Sequence, residues 1–275
     1  MASRNQLNQE TEEQQDVEIM EALKPPISNP KQEKIIAIDG DSITWIASYT
    51  GKDEFGNKKP EYTEEEYSIA EGIADEIFMK IVNTCEEFFK IKVVYLCLKG
   101  NCNNPRYEWF PEYKAHRPPA LPIIKHLHNY LANKYSALLP TIGETDDLIA
   151  EIVSLGGDSV VICSFDKDIK QLGNNNWFLN YKKWEWEFIT KEEADYLFNF
   201  QMIVNDPSDN IKFTPKVGEA FAKKTIKIGM TPWEYFIGVY SAYLKAWKNE
   251  EIAREKMYLA WKLLKLHTIE EFKNL

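Results

Sequence analysis

Carboxylate side chains recur at the points where the apolar runs of this sequence end. Asp39 follows the apolar run at 34–38, Asp166 follows the run at 159–164, and Glu144 begins a segment with an apolar helical face. Ligands of open α/β sheets bind outside the carboxyl ends of the parallel strands. We therefore predict that one crevice gathers nine carboxylates. They are Asp39, Asp41, Glu144, Asp146, Asp147, Asp166, Asp168, Asp206 and Asp209.

Nine carboxylates in one crevice would need cations. Like charges within ~4–6 Å raise one another's pKa values and destabilise the fold, and the sequence offers no comparable set of neighbouring lysines. Oxygen ligands without histidine or cysteine favour Mg²⁺, or Mn²⁺ in its place, over zinc. Two ions ~4 Å apart would activate a water and stabilise the leaving oxygen of a phosphodiester. Taken singly, each acid is equally typical of a strand end, or of a helix first turn that it stabilises by up to about 1 kcal/mol.

The composition is that of an ordinary soluble globular protein. The 275 residues are 44% hydrophobic and 28% charged, values typical of folded domains. No apolar run approaches the ~18 residues of a spanning helix, and the N-terminus lacks the apolar stretch of a signal peptide. We therefore expect a cytoplasmic protein without a membrane partner, whose four cysteines are reduced and mostly buried.

The charge pattern reverses locally between residues 99 and 134. The whole chain has a net charge of −10, whereas six cations and two glutamates leave this segment at +4. Aromatic residues lie among the cations, including Tyr107, Trp109, Phe110 and Tyr113. A solvated loop that leads into a helix explains this composition. Cations mixed with stackable rings are also what a contact to single-stranded nucleic acid needs.

Hydrophobic periodicity predicts an α/β domain followed by helices. The predicted strands are at 34–38, 93–98, 137–142 and 159–164, with a strand pair at 177–189. The predicted helices are at 43–47, 64–89, 144–155 and 191–203, and the pattern is helical from 214 to 275, with the aromatic residues of that region in its core. The alternation of strands and helices implies a three-layer domain around a central, mainly parallel sheet. We assign 1–33 to a flexible polar tail, 34–204 to the α/β core with a polar loop at 53–60, and 205–275 to a helical region.

Five motifs occur in the order in which the 5′-nuclease family carries them. They are Asp39-Gly40, Arg106 with the run 111–117, Glu144-Thr145-Asp146-Asp147, Ser164 to Asp168, and Asp206 to Asn210. The chain resembles this family over about residues 34–224, and the three acidic motifs are specific in combination. The family includes flap endonucleases, bacteriophage 5′→3′ exonucleases and the 5′-nuclease domain of bacterial DNA polymerase I. The bacteriophage-type exonucleases look most similar, and a bacteriophage-encoded member would act in the host cytoplasm.

The resemblance implies a PIN-like 5′-nuclease core and a C-terminal helix–three-turn–helix element that grips duplex DNA. It also implies two Mg²⁺ ions and hydrolysis near a 5′ end. Carried over by position, the ligands of the first ion would be Asp39, Glu144 and Asp146. The ligands of the second would be Asp147, Asp166, Asp168 and Asp209, with Asp206 nearby.

The basic segment at about 99–134 matches the arch that family members carry over the site. The resemblance implies that Lys114 and Arg117 steady the scissile phosphate and that Tyr113 stacks a base. Arg106 stands where family members carry an arginine that contacts phosphate. Residues three apart on a helix share a face, so we predict that Lys114 and Arg117 address the same phosphate while Tyr113 points elsewhere.

Two positions depart from the family pattern. Many members carry an aspartate where this chain has Lys99, so either Asp41 replaces that ligand or Lys99 contacts the phosphate itself. The glycine-rich Gly-Ile-Gly-x-Lys of the DNA-gripping turn becomes Lys216-Val217-Gly218-Glu219-Ala220. Because Lys223 and Lys224 follow, the predicted contacts to the DNA backbone are Lys216, Gly218, Lys223 and Lys224.

The predicted function is that of a Mg²⁺-dependent 5′ nuclease that acts on DNA by two-metal-ion catalysis. We expect a monomeric 5′→3′ exonuclease that acts on DNA with a 5′ end or 5′ flap. Action on RNA–DNA hybrids stays open, as do flap cleavage and RNA-primer removal as further activities. A PIN-like ribonuclease is one alternative, but such enzymes usually lack the arch and the DNA-gripping helices. A non-catalytic protein that binds branched DNA is the alternative from another class, and Lys99 motivates it.

Overall fold

The computed structural model describes residues 24–26, 30–48 and 61–275. Within them, one sheet contains β1 (Glu33–Asp39), β2 (Lys90–Cys97), β3 (Val160–Cys163), β4 (Asn176–Asn180) and β5 (Glu185–Ile189). The first helices are α1 (Gly40–Ala47), α2 (Glu64–Phe88), α3 (Arg106–Trp109), α4 (Pro122–Tyr135) and α5 (Thr145–Gly156). The later ones are α6 (Lys191–Val204), α7 (Glu219–Thr225), α8 (Pro232–Trp247), α9 (Glu250–Leu264) and α10 (Ile269–Lys273). Most of the predicted tail and the loop predicted at 53–60 lie outside the described residues.

The sheet is mainly parallel, as the sequence predicts. Its strand order is β2-β1-β3-β4-β5, and β5 runs antiparallel to β4. Because β1 lies between β2 and β3, Asp39 pairs with Cys97 on one side while Ile38 pairs with Cys163 on the other. The carboxyl ends of these strands therefore meet at one edge of the sheet, and the acidic motifs follow there.

Helices cover both faces of the sheet and give the predicted three layers. Ile36 and Ile38 pack in one core with α1, α2 and α4, whereas Ala37 faces the opposite core with α5. Since side chains alternate along a strand, burial on both faces explains why the run at 34–38 is apolar throughout. The α/β fold class is confirmed.

Two predicted elements do not form. In place of the strand at 137–142, Leu138 makes one parallel bridge to Cys97, and its amide donates to the Leu96 carbonyl at 2.8 Å. Pro140 follows, and proline has no amide with which to continue a ladder. The helix assumed around Lys114 is also wrong, because that segment consists of turns and Lys114 has a φ of 55°.

Helix α5 carries the central acidic motif at its N-terminus. Gly143 precedes the helix with a φ of 81°, and a Cβ atom there would lie 2.5 Å from Asp147 Oδ2. Glycine is therefore required by both backbone conformation and space. Gly157, with a φ of 55°, follows the last residue of the helix and ends it. These two glycines fix where the helix starts and stops, and hence where its acids lie.

The C-terminal region is helical, and its core also includes Tyr113 and residues of α6. Residues 205–218 form short turns between α6 and α7, in keeping with the predicted helix–three-turn–helix element. Tyr235 and Tyr243 of α8 are buried in this core. Trp233 and Phe236 depart from the prediction, since they are 67% and 43% exposed on the other side of the same helix.

The structure also shows the state of the four cysteines and whether its helices could cross a membrane. The cysteines are free, with Cys85, Cys97 and Cys163 buried and Cys102 partly buried. Of the helices that the structure describes, none is both long enough and apolar enough to cross a membrane.

Candidate active site

A crevice of about 200 Å³ opens at the carboxyl edge of the sheet, between the end of β3 and the turns after α6. Six of the predicted carboxylates line it: Glu144, Asp146, Asp166, Asp168, Asp206 and Asp209. Lys114 and Arg117 line it as well. The sequence predicted no role for three further polar residues of the lining, Lys167, Gln201 and Ser208. Of these three, only Lys167 could have been identified from the sequence, because it lies between Asp166 and Asp168.

Asp39 lies at the end of β1 and is almost completely buried. Its carboxylate accepts hydrogen bonds from the amide of Ser42 at 3.2 Å and from Ser164 Oγ at 2.8 Å. Its carbonyl oxygen accepts one from the Tyr181 hydroxyl at 2.7 Å. Burial, followed by the charge of Asp41, raises the pKa of Asp39 to about 6. These hydrogen bonds hold the side chain in one orientation, and burial disfavours its negatively charged form.

Burial and mutual repulsion act on the neighbouring carboxylates too. The pKa of Asp146 is raised well above its usual value by burial and then by the charges of Asp39 and Asp166. Burial, followed by the charges of Asp166 and Asp206, raises the pKa of Asp168 to about 7. A divalent cation would relieve this repulsion, and carboxylate oxygens are the ligands that Mg²⁺ prefers. The chemistry of the donor set therefore fits the predicted ions.

The carboxylates are not arranged as a complete metal-binding site. Within the part of the chain that the structure describes, no three His, Cys, Asp or Glu side chains are grouped so that they could together hold one ion. Lys114 instead donates from Nζ to both oxygens of Glu144, at 2.6 and 2.7 Å, and lies 3.6 Å from Asp209 Oδ2. Arg117 donates to the other oxygen of Asp209. The two cations thus converge on carboxylates of the crevice, and turns rather than a helix bring them there.

Arg106 and Asp147 form a buried ion pair, which differs from both predicted roles. Arg106 is 1% exposed, and its Nη1 and Nη2 atoms donate to Asp147 Oδ2 at 2.6 Å and Oδ1 at 2.8 Å. Asp147 also accepts from the amides of Glu144 and His267, both at 2.8 Å. With both oxygens occupied, Asp147 is not placed as a metal ligand. Its partner, Arg106, lines the crevice, but its side-chain donors are directed to Asp147 and to two backbone carbonyls.

The same ion pair ties the C-terminal segment to the acidic helix. Arg106 donates from Nε to the Leu263 carbonyl at 2.9 Å and from Nη2 to the Lys265 carbonyl at 2.7 Å. His267 is fully buried beside it, and burial, followed by the charge of Arg106, lowers the pKa of His267 to about 4. These contacts make the pair a support for the N-terminus of α5, and so for Glu144 and Asp146.

Tyr113 lines the crevice, but almost all of its ring is buried. Its ring is 3% exposed, its hydroxyl donates to Glu144 Oε2 at 3.0 Å, and it packs edge-on against Tyr107 at 5.5 Å between ring centroids. A ring enclosed in this way has no free face for stacking. Tyr113 therefore orients Glu144 in this structure.

Asp41 connects several segments at the rim of the site. It accepts from the backbone amide of Lys99 at 2.8 Å and from Thr145 Oγ1 at 2.6 Å, and His128 Nε2 lies 3.0 Å from its Oδ1. His128 had no signal in the sequence, because its role depends on how α4 packs against α1. The Lys99 side chain is exposed and has no ion pair within the described ranges. The Lys99 ammonium is therefore accessible to a bound molecule.

The four predicted DNA contacts lie in and after the turn that leads into α7. Lys216 is exposed with a φ of 64°, and Gly218 stands before the first residue of the helix. Lys223 pairs with Glu219 at 2.9 Å, and Lys224 is exposed. Nothing lies within 4 Å of a Cβ atom built on Gly218. A glycine without an internal packing reason suits close approach of an external ligand to the backbone.

Comparison with known proteins supports the resemblance seen in the sequence. No protein-family model matches the chain. The thermostable DNA polymerase I of Thermus thermophilus is 28% identical over 153 residues, which is 50% of this chain and 18% of that protein. The chain thus spans less than a fifth of the length of this relative.

A search of solved structures finds the same fold. The T5 D15 protein, co-crystallised with metal ions, matches 84% of this chain and 100% of its own, with a TM-score of 0.52 and 14% identity. The protein therefore has the 5′-nuclease fold, and the predicted resemblance is confirmed at that level. At this identity the likeness shows the fold alone.

Proposed function

We propose that the chain is a Mg²⁺-dependent 5′ nuclease that hydrolyses phosphodiesters near the 5′ end of DNA. The observation that carries this proposal is the convergence of Asp39, Asp146 and Asp168, whose pKa values are raised by burial and by neighbouring carboxylates. Such a set destabilises a fold unless it binds cations, so function rather than stability accounts for it. The fold shared with the T5 D15 protein, a flap endonuclease, supports the same class of reaction.

Two Mg²⁺ ions, for which Mn²⁺ would substitute, would supply an activated water and stabilise the leaving oxygen. One ion would be held by Asp39, Glu144 and Asp146. The other would be held by Asp166, Asp168 and Asp209, with Asp206 nearby. Asp147 is left out of the second set because Arg106 occupies both of its oxygens.

Lys114 and Arg117 would hold the scissile phosphate after releasing the carboxylates. Both cations reach into the crevice, and a phosphate would compete with Glu144 and Asp209 for them, since both are anions that accept charge-assisted hydrogen bonds. The same exchange would free two carboxylates for the ions. Substrate and metal would therefore favour each other's binding.

The turn between α6 and α7 would hold the duplex part of the substrate through Lys216, Gly218, Lys223 and Lys224. The protein would act as a monomeric 5′→3′ exonuclease, with cleavage of 5′ flaps and removal of RNA primers from RNA–DNA hybrids as further activities. Phosphate contacts of this kind position the duplex without reading its sequence.

The deciding experiment is cleavage of a 5′-flapped duplex by the whole chain in Mg²⁺ and in EDTA. We expect products that are shortened from the 5′ end in Mg²⁺ and no products in EDTA. Cleavage of single-stranded RNA but not of the flapped DNA would favour a PIN-like ribonuclease. Tight binding of the flapped DNA without cleavage in Mg²⁺ or Mn²⁺ would favour the non-catalytic branched-DNA-binding protein.

Lys99→Ala is expected to slow cleavage about 10- to 100-fold, because a charge-assisted hydrogen bond is worth about 1.5–3 kcal/mol. The melting temperature should not change, since the contact from Lys99 to Asp41 comes from the backbone amide. Single-turnover cleavage and thermal unfolding of the same samples test both statements. An unchanged rate would mean that Lys99 does not contact the phosphate.

A further inference from the structure

Asp41 is an acid in the first turn of α1, and its carboxylate bridges the ends of two other elements. Its Oδ1 accepts a hydrogen bond from the backbone amide of Lys99, just after β2, at 2.8 Å. Its Oδ2 accepts one from the hydroxyl of Thr145, the first residue of α5, at 2.6 Å. An acid in the first turn of a helix is ordinary, because it complements the helix dipole. Here, however, both oxygens hold segments that lie 58 and 104 residues further along the chain.

A third element fixes this carboxylate in place. His128 of α4 has its Nε2 atom 3.0 Å from Asp41 Oδ1 and 3.3 Å from the Thr44 hydroxyl. Because an ionised carboxylate can only accept hydrogen bonds, Nε2 carries the proton that faces Asp41. The Thr44 hydroxyl donates to the backbone carbonyl of Asp41 at 2.8 Å. Oδ1 therefore has two donors and Oδ2 has one.

The contact to Thr145 sets the position of the acidic helix. Thr145 is buried and lies between Glu144 and Asp146, two residues that we propose hold an ion. A hydrogen bond to its hydroxyl fixes the first turn of α5 relative to α1. Asp41 itself is not among the residues that line the crevice. It therefore acts on the site through the residues that it holds.

The contact to Lys99 places an ammonium group beside the same helix. The Lys99 side chain is exposed, whereas Asp41 holds its backbone amide. Burial raises the pKa of the Cys102 thiol, while the nearby charge of Lys99 acts in the opposite direction. The Cys102 thiol donates to the carbonyl of Gly143 at 3.4 Å. Since Gly143 directly precedes the acidic motif, the Lys99 ammonium lies near the start of α5.

We propose that Asp41 is a positioning residue, which holds Lys99 so that its ammonium meets a phosphate of the bound strand next to α5. The inference rests on the proposed function, because it needs a strand at the acidic site. Of the two roles that the sequence leaves open here, Asp41 orients Lys99 and does not replace a metal ligand. Removal of this acid should therefore weaken DNA binding, although loss of a negative charge near DNA ordinarily strengthens it.

Equilibrium binding of a fluorescein-labelled 5′-flapped duplex in EDTA tests the proposal without metal or cleavage. Lys99→Ala should weaken binding about 10- to 100-fold, the loss expected for one hydrogen bond between charged groups. It should also flatten the logarithmic salt dependence by about 0.7–0.9, the value for one phosphate contact. Asp41→Ala should change both quantities in the same direction, because the ammonium is then misplaced. The double variant should bind like Lys99→Ala alone, because Asp41 acts through Lys99 in this measurement.

Asp41→Asn is the matched control, because it removes the same charge and keeps the geometry. Its side-chain oxygen can accept from the Lys99 amide and from His128, and its amide nitrogen can donate to the Thr145 hydroxyl. Asp41→Asn should therefore bind the flapped DNA as tightly as the wild type or more tightly. Added Mg²⁺ should raise its melting temperature as much as that of the wild type, whereas loss of a metal ligand would reduce this rise.

Asp41→Glu makes the opposite change, because it keeps the charge and moves the carboxylate by one methylene group. We expect it to weaken binding of the flapped DNA and to flatten the salt dependence, as Asp41→Ala does. This variant carries the test if Asp41→Ala lowers the melting temperature. Glutamate and asparagine at position 41 thus separate the geometry of the contact from its charge.

Several results would overturn the inference. It fails if Lys99→Ala leaves binding unchanged, or if Asp41→Ala and Asp41→Glu bind the flapped DNA as tightly as the wild type. It fails equally if Asp41→Asn loses as much affinity as Asp41→Ala, or if the losses of the two alanine variants add in the double variant. In each case normal Mg²⁺-dependent cleavage by the wild type would leave the proposed function standing. If the wild type neither binds nor cleaves the flapped DNA, the proposed function falls and the inference falls with it.

Discussion

Asp147→Ala is expected to lower the free energy of unfolding by about 3–5 kcal/mol, the usual cost of removing one partner of a buried ion pair. Arg106 would keep its charge in a site where it is 1% exposed, and the carbonyls of Leu263 and Lys265 would remain as its acceptors. The amides of Glu144 and His267 would lose their acceptor as well. Urea unfolding in EDTA, followed by circular dichroism, measures the loss apart from any effect of metal.

A double variant separates the ion pair from simple loss of packing. Arg106→Leu combined with Asp147→Leu removes both charges, and replacing a buried pair by apolar side chains is often neutral. We therefore expect the double variant to be more stable than Asp147→Ala. Measured against the single variants Arg106→Leu and Asp147→Leu, the coupling between the sites should exceed about 1 kcal/mol. If Asp147→Ala unfolds at the same urea concentration as the wild type, the buried pair does not exist and the metal-ligand role of Asp147 becomes tenable again.

This ion pair marks the limit of what the sequence could predict. The runs at 34–38 and 159–164 predict buried parallel strands because periodicity is a local property of the chain. The pairing of Arg106 with Asp147 also depends on contacts to Leu263 and His267, which lie far along the chain from both members of the pair. A charged residue in a motif looks the same whether it faces a crevice or the interior. The tertiary structure therefore determines which of Asp146 and Asp147 lines the crevice.

The arch segment shows the same limit at the level of the backbone. Its charge reversal and its aromatic residues are visible in the sequence, and Lys114 and Arg117 do reach the crevice. Their direction was predicted from helical spacing, whereas the positive φ of Lys114 turns the chain there. Positive φ is uncommon outside glycine, asparagine and aspartate, so nothing in the local residue types predicts it. Tyr113, the neighbour expected to face a base, is buried against Glu144 as a consequence.

Asp146→Asn and Asp168→Asn are expected to reduce cleavage without lowering stability, whereas Asp147→Ala is expected to lower stability. Each should reduce Mg²⁺-dependent cleavage at least about 10²-fold, because a lost metal ligand removes several kcal/mol of stabilisation from the transition state. In EDTA each variant should be as stable as the wild type or more stable. The folded-state pKa of Asp168 is raised to about 7 by burial and by Asp166 and Asp206, so at pH 8 its ionised form opposes folding. Asparagine is isosteric with aspartate and carries no charge.

The measurement compares thermal unfolding and single-turnover cleavage for Asp146→Asn, Asp168→Asn and the wild type at pH 8. Added Mg²⁺ should raise the melting temperature of the wild type more than that of either variant, because ligands stabilise the state that binds them. Glu151→Gln, on the same helix as Asp146 but outside the residues that line the crevice, controls for the loss of one negative charge. A variant that cleaves at the wild-type rate in Mg²⁺ would remove its residue from the metal site. A variant that loses both activity and metal-free stability would show that its carboxylate holds the fold, as Asp147 does.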